Sequence, residues 1–155
     1  KAVDVYESRI KDNPAYQTED CIVIGADTIV SYRGEILGKP ADNEEAFDML
    51  SMLADRTHQV YTGVTFAGHI SGKQILHTFY EKTDVTFYPV TKEDLHTYVD
   101  SGDSLDKAGA YGIQGKGALL VRQIQGDFYN VIGLPLAPLM RMLGPGIFRT
   151  LDNTR

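Results

Sequence analysis

The stretch from Gln59 to Tyr88 constrains the fold more than any other part of the chain. Gln59–His69 and Gln74–Tyr88 are long runs rich in Val, Thr, Tyr and Phe, residue types that suit a pleated, half-buried surface. Ser71-Gly72 lies between them, so the two runs are predicted to form one long β-hairpin. The rest of the chain has to supply what packs against it.

Upstream, Val3, Tyr6 and Ile10 recur at spacings of three and four, which predicts a short amphipathic helix over residues 1–12 that Pro14 ends. Cys21–Ile24 is a short apolar run that reads as a strand buried on both faces. Beyond Gly25-Ala26-Asp27-Thr28, strand character resumes at Ile29–Tyr32, and Arg33-Gly34 predicts a hairpin turn into Glu35–Leu37. Asp42 and Glu45 form a capping box for a helix with Ala46, Phe47, Leu50 and Leu53 on its apolar face.

Downstream, Thr91 and Asp94 cap a helix that runs to about Asp100 and stops at Gly102. Ala118–Ile124 and Phe128–Ile132 are predicted as strands flanking Gln125-Gly126, and Pro135 opens a last helix through Leu143. Helices and strands alternate, yet at least three connections look like hairpins. The expected fold is therefore α/β with a mixed rather than purely parallel sheet.

The 155 residues suit one domain, 1–155, with residues 145–155 expected as a flexible tail. The chain opens at Lys1, without Met and already in helical pattern, and so reads as a piece of something longer, truncated at its N-terminus. Net charge of −6 argues against a long electrostatic footprint on nucleic acid, but one small polyanion needs only a few cations in one place. A single cysteine, Cys21, makes no internal disulfide, and no Cys/His cluster suggests structural zinc. No apolar run approaches the ~20 residues of a membrane span, and no signal-peptide pattern is present. The expectation is a soluble, cytoplasmic protein that engages neither membrane nor nucleic acid.

Two places in the chain suit chemistry. Asp27 follows a buried strand beside Gly25, where α/β folds tend to place functional groups. A hairpin turning at Arg33-Gly34 sets Asp27 roughly opposite Lys39, giving a carboxylate and an ammonium for a metal or water beside a phosphate; a strand-end salt bridge is the plainer alternative. The second place is Asp106–Gly117, with Gly109, Gly112, Gly115 and Gly117 and two lysines, Lys107 and Lys116. Its glycines allow backbone N–H groups to turn toward an anion, although a structural Ω-loop has the same composition. It is not a P-loop, because Ala110 stands where that pattern wants Gly and Gly117 where it wants Ser or Thr. Gln114 carries a donor and an acceptor and suits either a base edge or a loop brace. The histidines His58, His69, His77 and His96 show no metal-ligand spacing and read as surface residues of strands and helices. Glu81 and Asp84, three apart on one strand, point to opposite faces, so at most one can join a given site.

Several strings together resemble one family. They are Cys-Ile-Val-Ile-Gly-Ala-Asp-Thr (21–28), Leu-Gly-Lys-Pro (37–40), Phe-Tyr-Glu-Lys-Thr-Asp-Val-Thr-Phe (79–87), Asp-Lys-Ala-Gly-Ala-Tyr-Gly-Ile-Gln-Gly (106–115) and Gly-Asp-Phe-Tyr-Asn-Val-Ile-Gly-Leu-Pro (126–135). They resemble, in order from Lys1 to about Leu143, the Maf family of nucleoside triphosphate pyrophosphatases. The resemblance implies an α/β fold with a long, twisted mixed sheet flanked by helices, related to the inosine triphosphate pyrophosphatases and often homodimeric. It implies cleavage of a nucleoside triphosphate to the monophosphate and pyrophosphate with a divalent metal, Mg²⁺ or Mn²⁺. By position, Asp27 matches the family's proton acceptor and is the candidate metal ligand, and Lys39 matches a phosphate-binding lysine. Thr28 and Gln114 match positions linked to base specificity, in the combination of the subgroup acting on dTTP and UTP, and Lys1 matches a further basic substrate-binding position. The family's Ser-x-Ser-Pro-Arg-Arg string, which supplies two arginines to the phosphates, has no counterpart here. That departure leaves a second reading, a non-catalytic module that senses nucleotides or regulates septum formation through a protein partner.

Overall fold

The computed structural model describes residues 1–16 and 20–144, so the expected tail at 145–155 lies outside the described residues. The long hairpin is its centre. Strand β3 (Thr57–Ile70) pairs with β4 (Lys73–Phe87) from Thr57↔Thr86 to Ile70↔Lys73. Ser71 and Gly72 turn the chain with φ of 50° and 72°, the double positive-φ turn that matches the twist of flanking strands.

On the other side of β3 lies β1 (Cys21–Tyr32), paired from Cys21↔His69 to Ser31↔Gln59. Strand β2 (Glu35–Leu37) pairs with the last residues of β1 across the Arg33-Gly34 turn, and β5 (Val121–Gln125) pairs with β4. The order is β2-β1-β3-β4-β5, and every pairing is antiparallel. The α/β expectation holds, but among the described residues the sheet is antiparallel rather than mixed. Hairpins fix β1/β2 and β3/β4 as antiparallel, and β3 returns along β1 against its direction, so no parallel neighbour arises.

The helices follow their caps. Helix α2 (Asn43–Leu53) begins where the Asp42 side chain accepts the Glu45 N–H at 2.9 Å, while Glu45 reaches back to the Ala41 N–H at 2.6 Å. Helix α3 (Lys92–Asp100) begins where Thr91 Oγ1 accepts the Asp94 N–H at 3.1 Å. Val30, Val60, Val85 and Phe87 of the sheet meet Leu50 and Leu53 of α2 and Leu95 and Val99 of α3 in the main core. A second, smaller core joins Val64 and Phe66 to Leu139 of α5 (Leu136–Leu143). The opposite sheet face carries α1 (Ala2–Val5) and its π-helical continuation Tyr6–Ile10: Ala2 packs on Gly25, and Tyr6 hydrogen-bonds His69 at 3.1 Å. No helix among the described residues is long and apolar enough to cross a membrane.

Five local expectations change. Cys21–Tyr32 is one uninterrupted strand, because the continuous ladder with β3 carries Gly25-Ala26-Asp27 through despite their weak β propensity. Ile24 is 43% exposed, so the run from Cys21 is not buried on both faces. The buried stripe of the first helix is Ala2 and Tyr6, with Val3 turned out. Phe128–Ile132 is helix α4 rather than a strand: Asp127 caps it through the Tyr129 N–H at 2.8 Å, and Gly133 ends it in the left-handed region. Ala118–Leu120 belong to a 3₁₀ segment, Gly115–Leu120, which leaves β5 shorter than expected.

Candidate active site

The β1/β2 ladder stops at Val30↔Leu37, while β1 runs back to Cys21 with no strand on that edge among the described residues. A cleft of about 330 Å³ opens at this point. Asp27 and Thr28 of β1 border it, with Lys39 just past β2, the glycine-rich segment from Asp106 to Gln114 opposite, and Val131 and Ile132 of α4 at one end.

Asp27 sits within β1, paired with Gly63, rather than at a strand end. It is exposed and makes no hydrogen bond or ion pair among the described residues, so the salt-bridge alternative has no bond to rest on. Lys39 is not its cross-strand partner, since the ladder ends two residues earlier, yet both border the same cleft. Lys39 makes no ion pair among the described residues either. Successive strand residues alternate in direction, so Asp27 and Thr28 meet the cleft from the two sides of the open β1 edge.

Thr28 faces α4. Its Oγ1 lies 2.9 Å from Thr62 Oγ1, and Thr62 Oγ1 donates to the Asn130 carbonyl at 2.9 Å. Asn130 is fixed in turn, its Nδ2 donating to the Val60 carbonyl at 3.0 Å and to Thr83 Oγ1 at 2.9 Å.

The glycine-rich wall is stitched to the Lys39 segment. The Gly109 N–H donates to the Gly38 carbonyl at 3.0 Å, and Gly109 has φ of +68° with a Cβ position only 3.0 Å from Val30 Cγ1. Only glycine meets both demands. Gly117 packs so closely on the Gly112 carbonyl that any side chain there would collide with it. The two lysines do not both serve this wall. Lys107 pairs with Asp106 at 2.6 Å, and that hydrogen bond holds the Asp106 carboxyl below its usual range. Lys116 instead borders a different concavity, with Tyr88 and Leu119. Lys39 is therefore the cleft's unpaired cation among the described residues. Gln114 is exposed at the rim and its amide makes no hydrogen bond within the described residues, which gives the loop-brace alternative no support.

Lys1 does not line the cleft; it is exposed, and its α-ammonium lies 3.3 Å from Asp4. Among the described residues, no three His, Cys, Asp or Glu side chains cluster to hold a metal. The donor set fits a Mg²⁺-like ion only in the manner of one or two carboxylates completed by substrate phosphates, with Asp27 as the unpaired one.

One histidine departs from the surface expectation. His58 is fully buried, T-shaped against Phe87 and Tyr111, with Nε2 2.7 Å from the Tyr111 hydroxyl. Burial pushes its pKa down to about 4 and raises that of Tyr111. The pair anchors the glycine-rich wall to β3. The available signal was the alternation of β3, in which position 58 shares the inward phase of Val60, Thr62 and Val64.

A family model described as Maf-like protein matches residues 1–145. A dTTP/UTP pyrophosphatase of Bacillus cereus is 54% identical over 129 residues, covering 83% of this chain and 65% of the relative. The proteins of that name from Agathobacter rectalis and Bacillus cytotoxicus are each 54% identical, over 126 and 125 residues, covering 81% of this chain and 62% and 63% of their own lengths. The chain thus spans about 65% of the length of the curated relatives it matches. A match that runs through the cleft's β1 edge, the Lys39 segment, the glycine-rich wall and α4 places this chain in the Maf-like protein family.

Proposed function

We propose that the protein hydrolyses nucleoside triphosphates, dTTP and UTP foremost, to the nucleoside monophosphate and pyrophosphate. The observation that carries this reading is the cleft in which a carboxylate, Asp27, and an ammonium, Lys39, stand across from a glycine-rich wall ending in the amide of Gln114, all three without a side-chain partner among the described residues. The names of the relatives supply the nucleotide class.

Asp27 accepts a proton from a water as the water oxygen bonds to the α-phosphorus; the bond from that phosphorus to the α–β bridging oxygen breaks, and pyrophosphate leaves. Lys39 neutralises phosphate oxygens as a compact point charge. Backbone N–H groups of the glycine-rich wall add oriented dipoles at no cost in net charge. A divalent cation, held by Asp27 and the phosphates, would supply further charge neutralisation when bound. Gln114 and Thr28, which border the same cleft, are assigned to the base. The non-catalytic module has no observation of its own in this fold.

The test is pyrophosphate release from a panel of triphosphates with Mg²⁺, comparing the protein with its Asp27→Asn variant. Losing a general base removes about 10²–10⁴ in rate. A folded Asp27→Asn protein that releases pyrophosphate at the original rate would overturn the assignment.

A further inference from the structure

Three glycines lie inside the described strands: Gly25 in β1, and Gly63 and Gly68 in β3. A glycine in a strand interior weakens the strand and marks a bulge, a bend or a close approach. Two of the three meet their close approach within the fold. A Cβ on Gly25 would stand 3.0 Å from Ala2 Cβ, and one on Gly68 would collide with the Cys21 carbonyl. Gly63 has no such reason. Its ladders to β1 and β4 run through without a register break, and its φ is not positive. It is exposed, and apart from its chain neighbours no atom of the described residues lies within 4 Å of its Cβ position.

What flanks Gly63 is chemistry. Its partner on β1 is Asp27 and its partner on β4 is Tyr80, so the three occupy one row of one sheet face. Neighbouring strands lie about 4.8 Å apart, so this row runs roughly 10 Å from Asp27 to Tyr80 with no side chain between them. Tyr80 is 71% exposed. Lys82, further along β4 on the same face, brings a cation that lies 3.3 Å from Asp84. Thr28, next to Asp27 in the chain, belongs to the other face, where it meets Thr62.

We propose that the bare strip over Gly63 seats the pyrophosphate portion of the substrate, the leaving group of the reaction. This rests on the nucleotide reading above and deepens it. The attacking water, the α-phosphorus and the departing oxygen lie roughly in line. As Asp27 takes the water's proton and the new P–O bond forms, the bond to the α–β bridging oxygen breaks. Its electron pair leaves with pyrophosphate. A line that begins at Asp27 and follows the sheet passes over Gly63 toward Tyr80 and the Lys82 side of β4. Lys82 acts there as a compact point charge for the departing phosphates. A Cβ at position 63 would occupy the height that a phosphoryl group needs.

The experiment compares the protein with Gly63→Ala and Gly63→Val, whose side chains enter open space and suit a strand better than glycine does. It measures kcat/KM for UTP, product inhibition by inorganic pyrophosphate and by UMP, all with Mg²⁺, and the urea midpoint. The midpoint should hold or rise in both variants. The inhibition constant for pyrophosphate should rise about tenfold in Gly63→Ala and further in Gly63→Val, as for an overpacked contact, while that for UMP stays near its original value. The kcat/KM for UTP should fall in the same order. If Gly63→Val fails to fold, Gly63→Ala decides the point. A lowered midpoint in Gly63→Ala means that the backbone needs the glycine, which overturns the proposal alone. Unchanged pyrophosphate inhibition, or an equal loss for pyrophosphate and UMP, also overturns it alone. So does an unmodified protein that hydrolyses UTP but is not inhibited by pyrophosphate. An unmodified protein that releases no pyrophosphate from any triphosphate overturns the nucleotide reading and the proposal with it.

Discussion

Gln114 stands at the rim of the cleft with an amide that bonds to nothing in the described chain, so its donor and acceptor are open to a ligand. Gln114→Ala should narrow the preference for dTTP and UTP over other triphosphates while leaving the turnover of poor substrates nearly unchanged, as measured by kcat/KM across a panel. A uniform loss for every nucleotide would show that the side chain supports the loop instead. His58 makes a different prediction, because it is buried in its neutral form. Its pKa falls from 6.5 to about 4 on folding, so the unfolded chain binds the extra proton between those values. Stability therefore rises with pH through that window and is lost as pH falls through it. The contribution amounts to about 3 kcal/mol at most. Urea titrations from pH 7 down to pH 4 should show a steeper acid decline in the protein than in His58→Phe, which keeps the ring packing without a titrating group.

Elements were legible where their signals are local. The Asp42 and Thr91 caps, the Arg33-Gly34 and Ser71-Gly72 turns and the long hairpin depend on residues close in sequence, and each formed at its expected place. Helix α4 was not legible. Phe128-Tyr-Asn-Val-Ile132 has the composition of a strand, but its conformation is set by partners far away in the chain. Thr83 Oγ1 accepts the Asp127 N–H at 3.0 Å, and Asn130 bridges to Val60 and Thr83. Asn130→Ala should destabilise the protein, since it removes the two buried hydrogen bonds of the Asn130 amide, each worth about 0.5–1.5 kcal/mol net. The midpoint of chemical denaturation should fall with an unchanged denaturant slope. An unshifted midpoint would mean that α4 docks through apolar contacts alone.

At the scale of the molecule, a net charge of −6 works against a polyanionic substrate everywhere except where a local cation is left unpaired. In the cleft that cation is Lys39, since Lys107 is matched by Asp106. Raising ionic strength from about 0.1 M to about 1 M shortens the screening length from about 10 Å to about 3 Å. KM for UTP should rise over that range in the unmodified protein. In Lys39→Gln, KM should start higher and change little with salt, because the attraction being screened is gone. An equal salt dependence in both proteins would place phosphate recognition away from Lys39.

The strings that carry chemistry, their order, and the hairpin that organises the sheet were all in the sequence, because each is written in neighbouring residues. Asp27, Thr28, Lys39 and Gln114 could be named from it. That Asp27 and Lys39 share a cleft without being strand partners was decided by where the β1/β2 ladder stops, at Val30↔Leu37. The burial of His58 was decided by Phe87 and Tyr111 closing over it, contacts made across the sheet and from a loop some fifty positions on. The contacts from Thr28 through Thr62 to the Asn130 carbonyl join β1, β3 and α4, so they exist only once helix and sheet have docked. Side-chain identity determines which groups are available; hydrogen-bond direction and burial belong to the packing, which no local pattern encodes.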